Sequence, residues 1–121
     1  MKIRIKGNSV RVRITKSEVT QLCKEGVVQE VTPFISGSFT YALRSQDVSG
    51  LTADFQDNTI TVVLPQELVK DWEDNNRIGF NGSVPLGDGQ NLLLLVEKDF
   101  TCIEDRGEDE SDNYPNPKLQ H

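Results

Sequence analysis

Strict alternation of polar and apolar residues on either side of a two-residue turn constrains this chain most. Residues 2–6, KIRIK, and 9–14, SVRVRI, alternate without exception, and Gly7-Asn8 lies between them. That dipeptide is a hairpin turn signal in which Gly supplies the positive φ. Closing the turn sets Ile5 opposite Val10 and Ile3 opposite Val12. A one-residue slip would send every apolar side chain to the wrong face, so the register is well specified. The same register puts Arg4 opposite Arg11 and Lys2 opposite Arg13 on the outer face. Residues 51–56, LTADFQ, and 59–64, TITVVL, flank Asp57-Asn58 and pass the same check. There Phe55 meets Ile60, Ala53 meets Val62 and Leu51 meets Leu64.

Between the hairpins, Thr15-Lys16-Ser17-Glu18 fits a capping box, with Thr15 as N-cap and Glu18 as its reciprocal partner. Val19, Leu22 and Cys23 follow on one helical face, and Gly26 is placed to end the helix. Residues 27–32 read as a strand stopped by Pro33, and 38–44 as the next. Pro65 opens a second short helix over 65–74, with Leu68, Val69 and Trp72 inward. Asp71, Glu73 and Asp74 sit at its unfavourable C-terminal end. A ragged strand runs from Ile78 to Leu86. Residues 91–96, NLLLLV, are apolar on both faces, as in a central strand. No internal repeat stands out. These elements predict an α+β fold with a mostly antiparallel, strongly curved or barrel-like sheet of about seven or eight strands and two short helices. A pure sandwich is the alternative. Residues 1–100 form the single α+β domain, and 101–121 an acidic, Pro-containing C-terminal segment.

Composition removes several chemistries. His121 is the only histidine of the 121 residues, and Cys23 and Cys102 are the only cysteines. A His-based triad or metal site would have to recruit the last residue. A secreted disulfide scaffold would carry more cysteines at closer spacing. No GxGxxG, Walker loop or GxSxG motif is present. Asp109, Glu110 and Asp112 lack the glycine of an EF-hand loop. No metal, cofactor or catalytic residue is therefore expected. The net charge of −6 argues against a general nucleic-acid binder. No apolar run approaches a membrane span, which makes a cytoplasmic location the expectation.

Charge layout is the sharpest functional signal. The first sixteen residues hold six basic side chains and no acid. Five of them, Lys2, Arg4, Lys6, Arg11 and Arg13, project from the outer face of the hairpin. Like charges directly opposite on a sheet repel, so something should neutralise this plate: counter-ions on a solvated face whose edge charges block strand-to-strand aggregation, the chain's own acidic segment, or an external anion. Residues 97–112 hold eight acids against two bases. Glu104, Asp105, Glu108, Asp109, Glu110 and Asp112 are the acidic-tail candidates, with Tyr114 as an aromatic anchor before Pro115.

The opening MKIRIKGNSVRVRITKSEV and the closing VEKDFTCIEDRGEDESDNYPNP together resemble a small group of bacterial one-domain proteins of unassigned function. The resemblance covers nearly the whole chain and implies no activity. A looser likeness is to the CYTH-type triphosphate tunnel enzymes, which set basic and acidic residues around a polyphosphate with carboxylates holding a divalent metal. The hairpin bases with Glu97 and Asp99 match that outline, whereas the ExExK signature of that family is missing.

The expectation is a non-enzymatic binding or interaction domain. Its basic hairpin face pairs with an acidic segment, either its own tail or that of another copy. The alternative is a metal-assisted phosphohydrolase or phosphate-ligand binder using the same face. Partners are accordingly a protein, a second copy or a small anion, with no membrane.

Overall fold

Both hairpin turns form. Gly7 has φ 54°, and Asp57 and Asn58 have φ 51° and 58°, the left-handed values that primed turns need. In this computed structural model, which describes residues 1–100 and 111–115, β1 (Lys2–Lys6) pairs with β2 (Ser9–Ile14) in the expected register. Likewise β5 (Thr52–Gln56) pairs with β6 (Thr59–Pro65), with Phe55 against Ile60 and Ala53 against Val62. Helix α1 (Lys16–Glu25) begins at the capping box, where Glu18 Oε1 accepts the Thr15 backbone N–H at 2.9 Å. It ends at Gly26, whose φ of 78° lets its N–H reach the Leu22 carbonyl at 3.0 Å.

The remaining elements are β3 (Val27–Phe34), β4 (Gly37–Gln46), α2 (Gln66–Val69), a 3₁₀ turn (Trp72–Asp74), β7 (Gly79–Gly87) and β8 (Gln90–Lys98). Pro33 does not stop β3. That strand lies at a sheet edge, where a missing N–H is tolerated. The second helix is broken after Val69 into the 3₁₀ turn. Acids at the end of a helix oppose its dipole, and the Trp72 indole N–H instead bonds the Arg77 carbonyl at 2.8 Å.

The strands do not form one curved sheet. They form two four-stranded sheets, β1-β2-β8-β7 and β3-β4-β6-β5, and no closed barrel among the described residues. Nor are the sheets purely antiparallel, because β2 runs parallel to β8 and β4 parallel to β6. Each sheet joins two antiparallel hairpins through parallel inner strands.

This topology contains a repeat that the residue identities conceal. The order β1-β2-α1-β3-β4 is followed by β5-β6-α2-β7-β8. Exchanging the two units converts either sheet into the other. Val10, Val12, Ile14, Val19 and Leu22 of the first unit are matched by Ile60, Val62, Leu64, Val69 and Trp72, each 50 positions later and each buried. The units also exchange hairpins, since each sheet takes one hairpin from each. All ten side chains belong to one continuous core. Burial of that core is the main stabilising term, at about 1.5–3 kcal/mol for each large apolar side chain.

Candidate anion-binding recess

The outer face of the first sheet carries the hairpin charges. Lys2, Ile3, Arg4, Arg11 and Arg13 line a shallow recess of about 240 Å³. Arg4 stands opposite Arg11 and Lys2 opposite Arg13. Lys6 is exposed at the end of β1 and stays outside the recess.

Two carboxylates from the end of β8 meet this face. The parallel pairing places Glu97 beside Arg13. Its Oε1 accepts Arg11 Nε at 2.8 Å and Arg13 Nε at 3.0 Å. Arg11 Nη2 also contacts that oxygen. Asp99 is only 2% exposed. Its Oδ2 lies 3.3 Å from Lys2 Nζ, and its Oδ1 has no hydrogen-bond partner among the described residues. Four cations line the recess, and two carboxylates among the described residues meet them. Arg4 and Lys6 have no ion pair among the described residues.

The second sheet provides an internal control. Thr52, Ala53, Asp54, Gln56, Thr59, Thr61 and Val63 line a recess of about 250 Å³. Shifted by 50 positions, Lys2 becomes Thr52, Arg4 becomes Asp54, Arg11 becomes Thr61 and Arg13 becomes Val63. On the neighbouring strand, Arg44 beside Val63 takes the place of Glu97 beside Arg13. Asp54 turns to its own strand, accepting the Phe55 backbone N–H at 2.9 Å and Gln56 Nε2 at 2.8 Å. The fold builds this recess twice, and the second copy forms without a basic residue in its lining.

Of the acidic-tail candidates, Glu104, Asp105, Glu108, Asp109 and Glu110 lie outside the described residues. Asp112 sits at the start of α1, not on the hairpin. Its main-chain oxygen accepts the Lys16 N–H at 3.0 Å, its Oδ1 the Ser17 N–H at 3.3 Å and its Oδ2 the Ser17 hydroxyl at 2.5 Å. The bonds from Ser17, and then Thr15, hold its carboxyl below the usual carboxylate range. Tyr114 bonds the Asp99 carbonyl through its N–H at 2.8 Å and packs its ring 5.8 Å from Phe100.

Lys98 is the residue that sequence reasoning missed. Counted in the sequence as one of two bases within an acidic stretch, it continues the inward alternation of Leu94 and Val96 and is 4% exposed. Its Nζ donates to the Asn75 carbonyl at 2.8 Å. The Tyr114 ring lies 4.8 Å from Nζ and the Trp72 ring 5.8 Å. Burial pushes its pKa down. Burial also pushes the Tyr114 hydroxyl up to about 12, helped by Cys23, Asp112 and Glu73. Cys23 is a free thiol directed at the Val69 carbonyl, 3.1 Å away.

The fold and recess define a class, a duplicated α+β domain of two mixed sheets with one strongly basic outer face. The chain belongs to the family of unknown function DUF7009, whose model matches residues 1–118. No curated protein and no solved structure matches it. No helix among the described residues is long and apolar enough to cross a membrane.

Proposed function

We propose that this protein is a binding module whose basic recess docks an acidic protein segment. One observation carries the reading. The same backbone recess occurs on both sheets, and only one is furnished with Lys2, Arg4, Arg11 and Arg13. Opposed like charges on adjacent strands are destabilising, so their concentration on one face is a cost that folding does not require. Glu97 shows that a carboxylate fits between two of these arginines. Alternate residues of one strand lie about 6.6 Å apart, so an extended acidic segment can meet successive cations. The acidic residues 104–110 of a second copy are one source of such a segment.

The metal-assisted phosphohydrolase reading finds no support among the described residues, where no three His, Cys, Asp or Glu side chains converge. Titrating a fluorescent oligoglutamate peptide against the full chain tests the proposal. Binding that weakens with salt and is lost in Arg4→Asp is the expected result. Equal binding by Arg4→Asp would sink it, as would preference for pyrophosphate over the peptide.

A further inference from the structure

Another pocket, lined by no arginine and by no residue of the basic hairpin, lies where the 3₁₀ turn meets the end of β8. It measures about 490 Å³ and is lined by Glu73, Asp74, Asn75, Ile78, Lys98 and Tyr114, among others. That volume is in the range of small-molecule sites, roughly 300–1,000 Å³. We infer that Lys98 is a nucleophilic lysine that forms an imine with a small neutral aldehyde or ketone in this pocket.

Four observations support this reading. The amine is held at the pocket wall by the Asn75 carbonyl, 2.8 Å away, so its position is fixed. The Trp72 and Tyr114 rings lie 5.8 Å and 4.8 Å from Nζ, where they stabilise a protonated imine as they do an ammonium. Burial lowers the pKa of Lys98, which raises the fraction of free amine at neutral pH. Finally, the fold does not demand a lysine here. Arg44 and Glu97 occupy matching places opposite Val27 and Gly79, so Ser45 is the first unit's counterpart of Lys98.

The chemistry balances without a cofactor. The Nζ lone pair of the free amine forms a C–N bond to the carbonyl carbon, and one N–H proton passes from that nitrogen to the carbonyl oxygen. The resulting neutral carbinolamine takes a second proton, drawn from solvent, on its hydroxyl, loses that oxygen as water and leaves a protonated imine that keeps the remaining N–H. Glu73 and Asp74 line the same pocket, where they are placed to relay protons and to repel anionic carbonyl compounds.

Trapping tests this on the full chain. Glycolaldehyde and cyanoborohydride are added for a limited time, and adducts are mapped by peptide mass spectrometry. Lys98 is expected to label several-fold faster than exposed Lys70, because its amine is less basic and is held at the wall of a pocket that binds the carbonyl compound. Anionic glyoxylate is expected to label it more slowly than glycolaldehyde does. Lys98→Arg keeps the cation and a donor to Asn75, and should fold while losing the fast adduct. Labelling of Lys98 no faster than Lys70 overturns the inference, and that ratio is read on the unaltered chain. Equal trapping of glyoxylate overturns the neutral-ligand part.

Discussion

The outer faces of the two sheets differ far more than their backbones. Each presents a recess of nearly equal size, about 240 Å³ and 250 Å³, between the two strands of a tight hairpin. Inward positions stay apolar in both units, because one core takes side chains from both. Outward positions have no such constraint, and there Arg11 and Arg13 replace the counterparts Thr61 and Val63. The comparison separates what the duplicated fold requires from what one face carries in addition. The core is common to the two units, while the charge belongs to one.

The largest effects should come from the shared core. Trp72→Ala is expected to cost about 4 kcal/mol in denaturant unfolding, and its counterpart Leu22→Ala about 3. Trp72 also packs 4.8 Å from Phe80 and bonds the Arg77 carbonyl. A cost at Trp72 well below that at Leu22 would show that the second unit is the looser half. Next come the counter-charges. Glu97→Ala leaves Arg11 and Arg13 without their shared carboxylate and should cost about 1–2 kcal/mol, whereas exposed Arg44→Ala should stay within about 0.5. Equal costs would erase the distinction between the two faces.

The smallest effect concerns the docked residues 111–115. Asp112 is held below its ordinary pKa of 3.8 by Ser17 and Thr15. A carboxylate whose pKa is depressed on folding contributes stability that is present above its ordinary value. That stability is lost as pH falls through the lowered value. Melting temperature measured from neutral pH down to about pH 3 should therefore fall less steeply in Asp112→Asn than in the unaltered chain. Parallel curves would mean that Asp112 does not tie this segment to α1. Neither recess should respond to this change.

Local features were legible in the sequence because local rules govern them. Two-residue turns with alternating flanks fixed the register of both hairpins, and Thr15, Glu18 and Gly26 marked the ends of α1. The duplication was present in the 50-residue spacing of those hairpins. It was hidden because core positions need only shape and apolarity, so few identities such as Asn8 with Asn58 remain. The pairing of hairpins into two sheets was not legible. It depends on contacts such as Arg13 with Glu97, 84 residues apart, which no local pattern encodes. The basic face was read from alternation alone, and Glu97 and Asp99 entered it only as part of a charge count. Lys98 was missed because its sequence neighbours are acids, while its spatial neighbours are Trp72 and Tyr114.

Residue-resolved NMR during titration with an oligoglutamate peptide tests the central claim most directly. The account predicts amide shifts at Val10–Arg13 and Leu95–Glu97 of the first sheet, reversed by salt, with the matching positions Ile60–Val63 unmoved. Equal shifts on both sheets, or shifts confined to the second, would contradict it.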